Sequence, residues 1–498
     1  MRKKIVLLDG RSLTLEDLKT VSTFNVPVEV HADSLLKISQ IRESIELKAI
    51  SSQAYYGINT GFGALSETKI APEDLEKLQH NLILSHAVGV GEPMSIQEAR
   101  ALMLLRLNTL AKGHSGCRPL ILDYLVKLLN SGIAPYIPRK GSVGASGDLA
   151  PLAHLAMLLL GEGDAFIKDT RVTALEALEK SNLKPLKLRA KEGLALINGT
   201  QAMCSVGAIA LLKAEALCDW ADQIGACSLE ALMGSDTPLD PRIQEVRAHA
   251  GQKRSAALIK SMLEQSEIRE SHRHCKKVQD AYSLRCMPQV HGATRDTLKF
   301  VREVLEREQN SATDNPLVFD NGDILSGGNF HGQPIAFALD YLSIAVSELA
   351  NISERRIEQM LNPALSSGLP AFLAPNPGLN SGFMILQVTA AALVNENKIF
   401  SHPASTDSIP TSANREDHVS MGMTSVNKAK HVVENVTQVL AIELLCAAQA
   451  LELRKPLKPG LGVQKIYESF RKDISFAPED RAFGIDLQKS IQWLEMQL

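Results

Sequence analysis

A glycine- and serine-rich stretch, GSVGASGDLAPLAHL, runs from Gly141 to Leu155 and passes into a long apolar run. Three familiar motifs of such loops do not fit it. The stretch lacks the Gly-Lys-Ser/Thr ending of a phosphate-binding P-loop and the Gly-x-Gly-x-x-Gly spacing of a dinucleotide-binding turn. A nucleophile elbow centred on Ser146 would need glycine at position 148, where Asp148 stands. The stretch therefore requires a different serine chemistry.

The tripeptide Ala145-Ser146-Gly147 lies just before a predicted helix, for which Asp148 is a good N-cap. Backbone N–H groups at the positive end of a helix favour electron-rich species and would strengthen an electrophile. Gly147 has no Cβ, so its amide nitrogen can approach the Ala145 carbonyl closely. Ring closure and loss of water would then convert Ser146 into a dehydroalanine within an imidazolone. Taken alone, the loop could also be a tight turn that only caps a helix.

The stretch resembles the signature of the aromatic amino acid ammonia-lyases that use a self-formed 4-methylidene-imidazol-5-one (MIO) group. The resemblance covers essentially the whole chain and is closest to the histidine branch of that family. It implies that Ala145, Ser146 and Gly147 form the MIO group autocatalytically, with Ser146 becoming 2,3-didehydroalanine, and that no external cofactor is needed. It also implies non-oxidative elimination of ammonia from L-histidine to trans-urocanate, the first step of histidine degradation.

Three motifs outside the glycine-rich stretch match the family in order. YYGINTGFG contains Tyr56, which the resemblance makes the catalytic base; a phenol can act so if its surroundings lower its pKa. NLILSHAVGVGEP contains His86, which with Ser85 occupies the position that selects the substrate side chain in this family; imidazole suits hydrogen bonding to a substrate imidazole. LALINGTQAM places Asn198 at a predicted helix start, where the resemblance implies contact with the MIO group and substrate.

The motif VQDAYSLRCMPQVHG supplies Gln279, Tyr282 and Arg285. Residues three apart share a helical face, so Tyr282 and Arg285 are expected side by side. The resemblance makes Tyr282 catalytic and gives Gln279 and Arg285 to substrate binding, with Arg285 able to clamp a carboxylate through two hydrogen bonds. How Tyr56 and Tyr282 divide the proton transfer is left open.

Two later motifs complete the predicted site. SGGNFHGQPIAF contains Phe330, which would ordinarily be a core residue and which the resemblance packs against the MIO group. ANREDHVSMG contains Glu416, where phenylalanine and tyrosine lyases carry glutamine. A carboxylate can hold an imidazole or a departing ammonium, whereas a neutral amide suits an uncharged aromatic ring. His86 and Glu416 therefore both favour a histidine substrate.

The elements that must position these residues are mostly helical. Short β-like runs and glycine-rich loops alternate with helices up to about residue 200, and long alanine- and leucine-rich runs follow. Between Thr424 and Arg454 the apolar residues cover a wider arc than one amphipathic face needs, which predicts a helix buried in a bundle or oligomer. We predict a mainly α fold, with an MIO-bearing mixed domain at 1–200 and a long central helical bundle at 201–498, similar to the ammonia-lyase and fumarase architecture.

Composition excludes several classes of partner. The chain has 498 residues, with 53 Lys and Arg against 56 Asp and Glu, so no basic field attracts nucleic acid or an anionic membrane. Its seven scattered cysteines contain no Cys-x-x-Cys pair, which indicates a reducing cytoplasm. Neither a signal peptide nor an apolar run of membrane-spanning length is expected. The segment SHRHCKK at 271–277 is interpreted as a solvated loop, and no metal is expected.

The expected partners are L-histidine and further copies of the chain, because the resemblance implies a homotetramer in which subunits share each site. Two alternatives stay open. A tyrosine or phenylalanine ammonia-lyase, or an aminomutase, would use the same MIO group on another substrate or to another outcome. A helical scaffold or binding protein would keep Ser146 unmodified, with the glycine-rich loop serving only as a cap.

Overall fold

A computed structural model describes residues 5–275 and 277–498; Lys276, in the segment where no metal is expected, lies outside them. The described residues form nineteen α-helices. Helices α1 to α8 are Leu15–Phe24, Ala32–Ala49, Leu75–His86, Ile96–Ala111, Pro119–Asn130, Leu149–Leu160, Ala174–Lys180 and Glu192–Ile197. Helices α9 to α19 are Gln201–Ala231, Pro241–Glu245, Ala250–Met262, Glu267–Ser271, Tyr282–Arg285, Met287–Glu308, Gln333–Leu361, Met384–Phe400, Gly422–Leu453, Leu461–Phe470 and Phe483–Glu495. The predicted mainly helical fold is confirmed.

The strands are short and lie mostly in the first 200 residues. They are, from β1 to β9, Val6–Leu8, Val28–Val30, Val90–Pro93, Ile133–Pro135, Pro138–Lys140, Asp164–Ile167, Thr170–Thr173, Leu317–Val318 and Ile324–Leu325. β1 pairs parallel to β2, while β3 pairs with β5, and β8 with β9, in antiparallel register. β4, β6 and β7 form a three-stranded antiparallel sheet in which Ala134 faces Phe166. The N-terminal part is therefore mixed, as expected.

The chain forms two compact units. The first contains residues 1–209, 302–340 and 403–427, and the second contains 210–301, 341–402 and 428–498. Helices α9, α14, α15 and α17 each contribute residues to both units. These compact units differ from the predicted domains at 1–200 and 201–498. The domain boundary at residue 200 therefore stays a prediction.

The long helix α17 corresponds to the run predicted between Thr424 and Arg454. Its valines and leucines from Val426 to Leu451 are at most 4% exposed. A helix that is apolar around most of its circumference loses this surface to other helices rather than to water. The expected burial of this helix is therefore observed within the chain itself.

We expected no apolar run of membrane-spanning length, and this expectation is wrong when helices are judged by length and composition alone. Helices α9, α15 and α17 are long and apolar enough to cross a membrane. Of their most apolar windows, 72%, 72% and 83% are buried inside the protein. Burial against the rest of the chain therefore accounts for the apolar composition of these helices.

Candidate active site

A cavity of about 510 Å³ lies within the first unit. Its wall is built by the loop after α2, by α3, by the loop before α6, by the turn between α8 and α9, and by the loops around 315–330 and 412–416. Six residues singled out in the sequence line it: Tyr56, His86, Ser146, Asn198, Phe330 and Glu416. Residues more than 300 positions apart in the sequence thus meet around one cavity.

The glycine-rich loop is shaped by a close backbone approach. Gly147 has φ +71°, and a Cβ built on it would lie 2.1 Å from the carbonyl oxygen of Gly199. The two glycines form a parallel β-bridge, and the Asp148 N–H donates to the same Gly199 oxygen at 2.6 Å. A residue with a side chain at position 147 would have to push the two backbone segments apart and adopt a disfavoured left-handed conformation. Glycine is therefore required here by the contact as well as by the backbone angle.

The expected N-cap role of Asp148 is only partly observed. It occupies the N-cap position of α6, but its side chain makes no capping bond to that helix. Its carboxylate instead accepts hydrogen bonds from the Met203 N–H at 2.9 Å and from the Ser142 hydroxyl at 2.9 Å. Because Met203 is in the first turn of α9, Asp148 joins the loop to the start of that helix, where a carboxylate is favoured.

Ser146 is held between an apolar anchor and a carboxylate. Ala145 is buried against Val419 and Met421, which fixes the loop on one side. The Ser146 hydroxyl donates to Oε1 of Glu416 at 2.7 Å. The other oxygen of Glu416 accepts from the Thr411 hydroxyl at 2.6 Å. Ser146 and Glu416, which are 270 residues apart, therefore meet directly at the cavity wall.

The surroundings of Tyr56 raise the pKa of its phenol, whereas its predicted role as a base requires a lowered pKa. Burial raises the pKa of the Tyr56 phenol, a hydrogen bond with the Gly63 backbone opposes the rise, and the charges of Glu416 and Asp314 add to it. The condition stated above, a lowered pKa, is therefore not met by the residues of this chain alone. At neutral pH the phenol is protonated and can donate a hydrogen bond.

His86 is the last residue of α3, at one end of the cavity wall. Burial lowers the pKa of its imidazole; a hydrogen bond with the Leu82 backbone and the charge of Glu416 oppose this shift. The Ser85 hydroxyl lies 3.0 Å from Nδ1 of His86. The imidazole thus has hydrogen-bond partners within its own helix while the residue lines the cavity.

Asn198 does not begin a helix, as the sequence analysis expected, but ends α8, and α9 begins at Gln201. Its Nδ2 donates to the carbonyl oxygen of Asn315 at 3.0 Å. Its buried Oδ1 has no hydrogen-bond partner among the residues that the structure describes. Asn315 also lines the cavity and was missed by the sequence analysis. The polar run Thr313-Asp314-Asn315 before Pro316 was the signal that could have revealed it.

Three further predicted residues, Gln279, Tyr282 and Arg285, belong to the second unit and do not line this cavity. Tyr282 and Arg285 are the ends of the short helix α13, and the Arg285 guanidinium carbon lies 4.6 Å from the centre of the Tyr282 ring. Their side-by-side placement follows from the spacing of three residues. Tyr282 is 70% exposed, and Gln279 is exposed as well. Arg285 is half-buried, and Ser283 and Leu284 between these residues are buried.

The buried carboxyl of Asp148 predicts a pH dependence. Burial raises the pKa of Asp148 to about 6, although hydrogen bonds from Met203, Ser142 and Ala202 oppose the rise and the charge of Glu308 adds to it. The folded protein therefore keeps this proton up to about pH 6, whereas an unfolded chain releases it near pH 4. Stability from this group is lost as pH rises through that window, by an amount on the order of 3 kcal/mol.

The unfolding free energies of the unaltered protein and of Asp148→Asn are measured in urea from pH 4 to pH 7. The difference between the two free energies isolates the contribution of Asp148, because the contributions of the other carboxyls cancel. The amide keeps an acceptor for Met203. We expect the unaltered protein to lose stability relative to Asp148→Asn between pH 4 and 6. A difference that does not change with pH would show that Asp148 ionises normally.

Comparison with known proteins identifies the family of this chain. A model of the aromatic amino acid lyase family matches residues 13–472. The histidine ammonia-lyase of Stigmatella aurantiaca is 56% identical over 481 residues, covering 96% of this chain and 94% of that protein. The solved histidine ammonia-lyase of Trypanosoma cruzi has a TM-score of 0.91 at 45% identity, covering 99% of this chain and 94% of that one.

The fold alone does not separate lyases from aminomutases. The tyrosine aminomutase of Streptomyces globisporus has a TM-score of 0.94 at 39% identity, covering 99% of this chain and 97% of that one. Fold, cavity and motifs nevertheless lead to one conclusion at the level of the family. Because the family model matches nearly the whole chain, this protein belongs to the aromatic amino acid lyase family.

Proposed function

We propose that this protein is a histidine ammonia-lyase, a carbon–nitrogen lyase that eliminates ammonia from L-histidine to give trans-urocanate in histidine catabolism. The observation that carries the proposal is the meeting of Ser146, Glu416 and His86 at one cavity. An imidazole and a carboxylate beside the reactive serine suit an imidazole substrate better than a phenyl or phenol ring. The names of the relatives support the same substrate.

The residues present fit an MIO group formed from Ala145, Ser146 and Gly147. Gly147 has no Cβ to hinder the approach of its nitrogen to the Ala145 carbonyl, and Ser146 lines the cavity. The unpartnered Oδ1 of Asn198 leaves an acceptor in the same wall. When formed, the group supplies an electrophile for the substrate amine and makes that amine a better leaving group. No external cofactor is needed.

Formation of the group would also change Glu416. The Ser146 hydroxyl, which now donates to Oε1 of Glu416, is lost as water when Ser146 becomes a dehydroalanine. Oε1 then has no donor from this residue, while Oε2 keeps its bond to Thr411. Glu416 is thereby left with one oxygen free to accept from the substrate imidazole or ammonium, and His86 binds the imidazole from α3.

The β-proton goes to a tyrosine, for which Tyr56 is our first choice and Tyr282 the second. The raised pKa of Tyr56 means that the bound substrate must lower it, and an ammonium group close to the phenol has that effect. Phe330 lines the same cavity, and we propose that it packs against the reactive group.

We propose that Tyr282, Gln279 and Arg285 act in a site shared between subunits of a homotetramer. All three belong to the second unit and none lines the cavity, and the exposure of Tyr282 and Gln279 supports a role outside their own chain. Arg285 would clamp the substrate carboxylate. We further propose a cytoplasmic enzyme with an MIO-bearing domain at 1–200 and a bundle domain at 201–498.

Near-ultraviolet absorbance with L-histidine, L-tyrosine and L-phenylalanine in parallel tests the reaction. We expect a urocanate band with L-histidine, its loss in Ser146→Ala, and its retention in Ser131→Ala, a change of an exposed serine outside the cavity. An active Ser146→Ala protein would contradict the proposed chemistry. Conversion of an α- to a β-amino acid, detected by chromatography without a urocanate band, would identify an aminomutase instead.

Substrate choice is tested by His86→Leu and Glu416→Gln, alone and combined. Removing these polar groups leaves the substrate imidazole without partners, so kcat/KM for L-histidine should fall by about 10²-fold relative to that for L-phenylalanine. Circular dichroism controls for folding. An increase in L-histidine turnover in the combined variant would refute the assignment of these two residues.

A further inference from the structure

A buried cluster of three charged side chains lies in the first unit, and none of the three is among the residues that line the cavity. Arg106, Lys191 and Asp314 are each at most 1% exposed. The Lys191 ammonium lies 3.1 Å from Oδ2 of Asp314, and the Arg106 guanidinium lies 4.0 Å from the same oxygen. Two cations thus share one carboxylate.

The cluster holds two of the backbone segments that line the cavity. Oδ1 of Asp314 accepts from the Asn315 N–H at 2.7 Å, which fixes the loop that carries Asn315. Arg106 donates to the carbonyl oxygens of Asn198, at 2.9 Å, and Ala195, which fixes the end of α8. The Asn315 carbonyl then accepts from Nδ2 of Asn198 across the join between the two segments.

These contacts determine which atom of the Asn198 side-chain amide remains without a hydrogen-bond partner. A carbonyl oxygen can only accept, so the NH₂ group of Asn198 must face Asn315, and Oδ1 must face away. Within the described residues that oxygen is buried and unpaired, which is unfavourable unless a donor arrives. The donor that the cavity would receive with an α-amino acid is its ammonium group.

We propose that Asp314, held by Lys191, is a positioning residue that presents Oδ1 of Asn198 as an acceptor for the substrate ammonium. The inference rests on the proposed function, because it takes an α-amino acid as the ligand. Asp314 acts through the Asn315 main chain and touches no reacting atom. The competing explanation is that the ion pair only stabilises the fold, in which case ligand discrimination does not depend on it.

Two matched double variants separate these explanations. Asp314→Leu with Lys191→Met removes the acceptor for the Asn315 N–H, and Asp314→Asn with Lys191→Gln keeps it. Both remove one positive and one negative charge, so the net charge of the buried cluster is unchanged. Both variants leave the buried Arg106 guanidinium without the carboxylate, so both are expected to lose stability, and each serves as the control for the other in this respect. Circular dichroism and urea unfolding establish that both proteins are folded.

Calorimetric titration measures the outcome in the Ser146→Ala protein, which cannot form the ring or turn over substrate. The two ligands are L-histidine and 3-(imidazol-4-yl)propanoate, which has the same side chain and carboxylate but no ammonium. In the Leu/Met variant we expect affinity for L-histidine to fall about tenfold or more, as for an unmade hydrogen bond to a charged group, while affinity for the propanoate stays within about threefold. The Asn/Gln variant should keep both affinities.

Each result distinguishes the two proposals. Equal losses for both ligands in the Leu/Met variant, or unchanged discrimination in a folded protein, would overturn the positioning role and leave the proposed function standing. If the Leu/Met protein does not fold, Asn315→Gly tests the same step, because a flexible residue there should reproduce the ammonium-specific loss; unchanged discrimination overturns the proposal. A Ser146→Ala parent that binds neither ligand would refute the proposed function and the positioning role with it.

Discussion

The contact between Gly147 and Gly199 is the constraint on which the candidate site depends. Neither position has room for a side chain: a Cβ at Gly147 would overlap the Gly199 carbonyl oxygen, and one at Gly199 would lie 2.5 Å from both the Thr313 carbonyl oxygen and Oε1 of Gln201. Two backbone segments can therefore lie directly against each other. This approach brings the loop of Ser146 beside the turn of Asn198, so that both line one cavity.

Buried polar groups keep these segments in place from behind. Asp148 joins the loop to the first turn of α9, and Arg106 and Asp314 hold the end of α8 and the loop of Asn315. Buried polar groups that are satisfied in this way rigidify a structure, whereas unsatisfied ones are unfavourable. Oδ1 of Asn198, a residue that lines the cavity, has no hydrogen-bond partner among the described residues, and neither has Nε of Arg106, which does not line it.

The sequence was informative where chemistry or periodicity is local. The long helices were predicted from their apolar runs. The motif resemblance, carried over residue by residue, identified six residues that line the cavity. It was uninformative where a side chain acts on a distant segment. Nothing in the neighbourhood of Asp148 indicates that its partner is Met203 rather than α6, and nothing near Asn315 indicates Asn198. Such pairings, and the raised pKa of Tyr56, depend on burial that only the folded chain defines.

The central claim is that Ser146 is chemically converted together with Ala145 and Gly147, and intact-protein mass spectrometry under denaturing conditions tests it most directly. Ring closure and dehydration each release one water, so the purified protein should be lighter than its encoded sequence by two water molecules. The Ser146→Ala protein, which cannot form the dehydroalanine, should lack this full deficit. A protein that has its full encoded mass and still converts L-histidine to urocanate would contradict the account.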